Sequence, residues 1–122
     1  MKTIKLNLLG IGILSLFFLF ALNASAQSSS YVGNWQSTAP VPSMNNAIVK
    51  IKILSTSDPN VLIIVNFDNP KKKFVAKYDA STNRIYAIIR NQNLYFNYVA
   101  ASDTIDCYNV SNNNLVCSMV RF

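Results

Sequence analysis

The chain has 122 residues, of which 51% are hydrophobic and 13% charged, with 11 Lys+Arg against 5 Asp+Glu and no His. That length holds one domain of ordinary size and excludes a second. All five acids are Asp, and the missing His removes the commonest general base, the Ser-His and Cys-His dyads and the commonest metal ligand. Composition therefore argues against an enzyme, a metal and a cofactor.

The first element lies in residues 1–26. Lys2 and Lys5 precede a stretch from Leu8 to Leu22 that is apolar apart from two Gly and one Ser, and Ala24-Ser25-Ala26 follows. A basic start, a short apolar run and small residues at −3 and −1 are the pattern of a cleaved signal peptide. The run is short against the ~20 residues that span a bilayer. Export is expected, to the periplasm or the cell exterior, with no stable membrane insertion after cleavage. Residues 27–122 then carry nine basic and five acidic side chains, a charge of +4. That value is low for a nucleic-acid binder, and the route of export argues against one as well.

Beyond residue 30 the sequence reads as strands. Tyr31–Ser37 opens the series, and Pro40 and Pro42 follow in a linker where they disturb no ladder. Residues 47–54 alternate with a period of two, and Ser-Thr-Ser-Asp-Pro-Asn at 55–60 breaks the chain before Val61–Phe67. After Asp68-Asn69-Pro70, residues Phe74, Ala76 and Tyr78 alternate with Lys73, Val75 and Lys77. Arg84–Arg90, Leu94–Val99, Thr104–Val110 and Leu115–Phe122 follow, separated by polar turns. Eight short strands joined by short connections predict an all-β fold. The expected architecture is a single antiparallel up-and-down meander closing into a barrel or barrel-like sandwich over 27–122.

Alternation assigns an inner face to Val49, Ile51, Ile53, Ile63, Val65, Phe67, Phe74, Tyr78, Ile85, Ile89, Phe96 and Tyr98. An eight-stranded barrel is just wide enough to be filled by side chains or to hold one small ligand. Bulky residues favour the filled form; if a ligand is held, Phe74, Tyr78, Phe96 and Tyr98 are its expected wall. Tyr86, Ile88, Tyr95 and Tyr108 fall on the outer face and could serve a protein partner. Cys107 and Cys117 form an even pair in an exported chain, which reads as a disulfide. Opposing them pairs Val110 with Asn114 and leaves Ser111, Asn112 and Asn113 as a three-residue loop. Asp58, Asp68 and Asp79 sit in turn contexts, where Asp bonds locally, and alternation places Asp103 and Asp106 on opposite faces of a strand.

Two ends of the chain carry a resemblance. Gly33-Asn34-Trp35 starts the first strand, and Arg121 stands near the end of the last. Together they resemble the calycin signature of lipocalins, fatty-acid-binding proteins and avidins. The resemblance implies that Trp35 plugs the closed end of a barrel beneath Arg121, with Gly33 permitting close approach. It carries fold, and it points to a small lipocalin-like domain. The expected function is binding of a small apolar ligand by an exported, non-enzymatic barrel. The alternative is a protein-binding module, a hydrolase inhibitor or secreted effector, acting through loops or the aromatic outer face. The run Lys71-Lys72-Lys73 with Lys77 reads as a solvated turn that also guards a sheet edge, or as an attractant for an anionic surface.

Overall fold

The computed structural model describes residues 28–122; the leader assigned to 1–26 lies outside the described residues. Eight antiparallel strands follow in order: β1 (Gly33–Ser37), β2 (Lys50–Ser55), β3 (Val61–Asn66), β4 (Lys73–Asp79), β5 (Arg84–Ile89), β6 (Gln92–Val99), β7 (Thr104–Asn109) and β8 (Leu115–Arg121). Each pairs with the next, and β1 also pairs with β8, so the sheet closes on itself as a barrel with no free edge. A short 3-10 turn at Pro42–Met44 interrupts the β1–β2 connection. The meander is the one predicted, strand for strand.

Asparagine makes the turns. Of the seven described non-glycine residues with positive φ, five are Asn (Asn45, Asn46, Asn83, Asn91 and Asn113). Asn tolerates the left-handed region because its short amide can bond locally. Arg90 and Asn91 both lie there and form a two-residue hairpin between Ile89 and Gln92, tighter than the 91–93 turn read from sequence. Asp58 and Asp79 each accept a hydrogen bond from the backbone two residues on, at 2.9 and 3.0 Å.

Two sequence expectations fail in register. Along β3 the inward residues are Leu62 and Ile64, opposite Ile53 across β2 and Ala76 and Phe74 across β4, so Ile63, Val65 and Phe67 were assigned to the wrong side. Phe67 is 42% exposed and packs edge-on against Phe122 outside the barrel. The cause is plain: Val61–Val65 is apolar at every position, and a run without alternation has no phase. In the β7–β8 hairpin a bulge lies beside Cys107, so Tyr108 faces Leu115 and the Asn109 N–H bonds the Asn114 carbonyl at 2.9 Å. The loop is thus Val110–Asn113, one residue longer than expected.

The disulfide is also corrected. Cys107 and Cys117 are free thiols, although their Cα positions oppose each other directly. Opposition fixes only the backbone part of the geometry; a bond also needs Cβ atoms ~3.8 Å apart and a dihedral near 90°. The adjoining bulge re-aims β8 at this point. A thiol–thiol hydrogen bond to Cys117, together with burial, instead pushes the Cys107 thiol upward in pKa.

One barrel end is closed by residues 31–35. Trp35 and Tyr31 are fully buried there, and Arg121 places its guanidinium carbon 4.2 Å from the centre of the Trp35 ring, the contact that the calycin resemblance implies. Trp35 Nε1 donates to the Tyr31 carbonyl at 2.8 Å. Arg121 donates from Nη1 to the Val32 carbonyl, from Nη2 to the Ser30 carbonyl and from Nε to Asp103, at 2.9, 2.7 and 2.8 Å. Asp103 also accepts from the Tyr98 hydroxyl at 2.7 Å, and these two donors, Arg121 first, hold its carboxyl below the usual carboxylate range.

Gly33 has φ 142°, and a Cβ there would stand 2.6 Å from Arg121 Nη1. Because the obstructing atom is the tip of a flexible side chain, Gly33→Ala should fold, with Arg121 displaced from Trp35. The expected cost is about 1–2 kcal/mol from backbone strain and the lost seat. Urea unfolding checks it, and a variant as stable as wild type would show that Arg121 is not seated through this gap.

Candidate ligand site at the open end

The opposite end is built differently. There the β1–β2 connection, the β3–β4 connection and the Arg90-Asn91 turn surround a cavity of about 290 Å³. Its floor is apolar and comes from inward positions of β2, β3, β4, β6 and β8: Ile51, Ile64, Phe74, Leu94, Phe96 and Met119. Alternation puts each of these on the inner face, and barrel closure brings the five strands around one cavity. Val41, 1% exposed, folds down from the β1–β2 connection to form a side wall with Met44 and Val49. Two hydrogen bonds set that flap: the Val41 N–H donates to the Ala47 carbonyl at 2.9 Å, and the Val49 N–H donates to the buried Ser37 hydroxyl at 2.9 Å.

The rim is polar. Lys50, Lys72 and Arg90 stand at the mouth with Asn66, Asp68 and Asn69. Three cations face one carboxylate. Cys107 and Cys117 line one wall, flanked by Val116 and Met119. Among the described residues no group of three or more His, Cys, Asp and Glu could hold a metal ion. The chemistry on offer is apolar enclosure, two soft thiols and a cationic rim.

Of the four residues expected as a ligand wall, Phe74 and Phe96 line this cavity and Tyr78 and Tyr98 do not. The two tyrosines belong to the closed end. Tyr78 and Tyr98 meet Tyr31 edge-on, with centroids 6.4 and 5.9 Å apart, and Tyr98 also meets Trp35 at 6.4 Å. The Tyr78 hydroxyl donates to Asn83 Oδ1 at 2.9 Å. Burial raises the Tyr78 pKa, and the bond to Asp103 raises that of Tyr98. Gly33, Trp35 and Arg121 are structural parts of this same closed end, far from the cavity mouth.

Sequence reading missed Val41, Met44, Leu94 and Met119 as lining residues. Leu94 and Met119 are inward by strand alternation, so their face was legible; Val41 and Met44 lie in an irregular connection that has no period to read. No protein-family model, curated protein or solved structure matches the chain. What stands is architecture: an eight-stranded antiparallel barrel, compatible with a calycin-like fold, closed at one end and hollow at the other.

Proposed function

We propose that this chain is an exported lipocalin-like carrier that holds one small apolar ligand at the open end of its barrel. The observation that supports it is the cavity itself. A filled eight-stranded barrel was the expectation from side-chain bulk, yet about 290 Å³ stands open over Phe74 and Phe96. That volume is near the lower bound of small-molecule sites. It is roughly twice the ~150 Å³ dry cavity that accepts benzene, which sets the ligand at about two fused rings or a short alkyl chain. The reading assigns no catalytic step and no cofactor. Export rests on the sequence of residues 1–26 alone.

1-Naphthylamine, neutral at pH 7 and two fused rings in size, is a suitable probe. Its fluorescence should rise on mixing and saturate at one molecule per chain. Val49→Trp, which projects an indole into the half-buried side wall, should weaken uptake about tenfold or more while leaving the far-UV spectrum unchanged. Non-saturating uptake, or uptake indifferent to Val49→Trp, would remove the carrier reading and favour a protein-binding module instead.

A further inference from the structure

The outer wall of the barrel carries a feature that the cavity does not use. Leu54 faces Ile63 across β2 and β3, Ile63 faces Val75 across β3 and β4, and Ile88 faces Asn93 across β5 and β6. The Val110 N–H then donates to the Asn93 carbonyl at 2.9 Å. Val75, Ile88 and Val110 border one shallow groove with Lys77, Tyr86 and Asn93. These aliphatic side chains project into solvent: Ile88 is 65% exposed, Val75 58% and Val110 45%. Exposed apolar groups gathered on one face mark a surface that meets something.

What borders the patch defines its partner. The row on its mouth side contains Lys52 and Lys73, paired across Val65. The row on its other side runs Lys77, Tyr86, Tyr95, Tyr108 and Leu115. Neither row contains an acid, and the only ion pair among the described residues is Arg121–Asp103, so these lysines have no carboxylate partner there. Such cations repel a second copy of the same face and attract an anionic one.

The tyrosines, which a protein interface would use as anchors, are spent on one another. Tyr95 is 6% exposed, stacks on Tyr108 with centroids 5.1 Å apart, and lies under the Arg84 guanidinium at 4.4 Å. Tyr86 and Tyr108 are half-buried, and the most exposed apolar groups are aliphatic tips beside lysines, the pattern of a surface that settles into the headgroup layer of an anionic bilayer. Strands of 5 to 8 residues are shorter than the 9–11 that cross a bilayer, and the barrel interior is apolar, so contact is with the membrane surface alone.

We infer that the outer face of β4–β7, centred on Val75, Ile88 and Val110, docks the barrel on an anionic lipid surface. This does not depend on what the cavity holds. The test is flotation of the protein, as recovered in soluble form from its producing cell, with vesicles of phosphatidylcholine alone or with 30% phosphatidylglycerol added. Binding is expected only to the second, weakening as salt is raised. Val75→Thr, Ile88→Thr and Val110→Thr together keep β-branched side chains at exposed positions and should lower the bound fraction about tenfold. Lys73→Gln and Lys77→Gln should each lower affinity about fivefold. No binding to the anionic vesicles would overturn the inference. So would triple-Thr binding equal to wild type, which would leave only diffuse attraction by a +4 barrel. A crosslink from this face to an acidic protein, without vesicle binding, would assign it to a protein partner.

Discussion

Trp35→Ala is expected to lower the unfolding free energy by about 3–5 kcal/mol, the range for truncating a fully buried large aromatic. Trp35 is 0% exposed, and the loss has several parts. The largest is apolar area returned to water or left as a void at the centre of the closed end. Others are the Nε1–H bond to the Tyr31 carbonyl, the Arg121 contact at 4.2 Å and the edge contact with Tyr98. A domain of this size has a net stability on the order of 5–14 kcal/mol, so the variant should lose a large fraction of it. Urea denaturation gives the number directly.

Trp35→Phe separates the parts, since it keeps most of the area and loses the donor. Arg121→Ala alone should cost about 1 kcal/mol, because the guanidinium is partly exposed. A double-mutant cycle should return a coupling of roughly 0.5–1 kcal/mol between them. A Trp35→Ala cost under ~1.5 kcal/mol, or zero coupling, would mean that the closed end is held by the strand ladder alone. Trp35→Phe should also leave naphthylamine uptake unchanged, because the cavity is at the other end of the barrel.

The strands were legible because the chain alternates cleanly in most of them. β4 is the clearest case: Lys73, Val75 and Lys77 face out while Phe74, Ala76 and Tyr78 face in, and no other phase puts both lysines in solvent. β3 was not legible, since five consecutive apolar residues give no phase, and only pairing with Ile53 and Phe74 decides it. The ligand wall was half legible for a related reason. Alternation reports which face a residue occupies, and it says nothing of height along the barrel. Phe74 and Tyr78 share a face of one strand but stand four residues apart, about 13 Å. A cavity at one end can therefore reach only one of them.

The cysteines show the same limit on a smaller scale. Their opposition, expected from the even pair, holds, but the turn deduced from it, the bulge at Cys107/Tyr108 and the direction of the side chains were not readable. The flap bearing Val41 and Met44 lay beyond reading altogether, because its position depends on the Val41–Ala47 backbone bond and the Val49 bond to the Ser37 hydroxyl, and on no local repeat. The Arg121–Asp103 pair follows from register instead: Asp103 lies in a turn with φ 51°, and the β7–β8 pairing that sets Thr104 against Val120 brings Arg121 beside it.

Tyr31→Phe is the second large effect expected, and it comes from one oxygen. Tyr31 is 0% exposed, and its hydroxyl donates to the Asn83 carbonyl at 2.8 Å, with the Phe96 carbonyl also within reach at 3.0 Å. It accepts from the Tyr98 N–H at 2.9 Å. The N-terminal segment is thereby tied to the β4–β5 turn and to β6. Removing the oxygen leaves the Tyr98 N–H and at least one carbonyl without this partner, at about 1–3 kcal/mol per buried group. The expected loss is about 2–4 kcal/mol, large for the deletion of a single atom.

A pH dependence distinguishes this from simple loosening. Burial pushes the Tyr31 phenol well above its ordinary value of about 10. The folded state thus keeps a proton that the unfolded chain gives up. The stability that follows is fully present below pH ~10 and is lost as pH rises from there towards the folded value, by about 1.4 kcal/mol per pH unit for one group. Tyr31→Phe removes that component, so the gap between wild type and variant should be constant from pH 7 to 9 and should narrow above pH 10. Tyr78 and Tyr98 remain in both proteins and cancel to first order in the difference. A gap that stays constant up to pH 11 would show that the Tyr31 phenol ionises as readily in the barrel as in the unfolded chain.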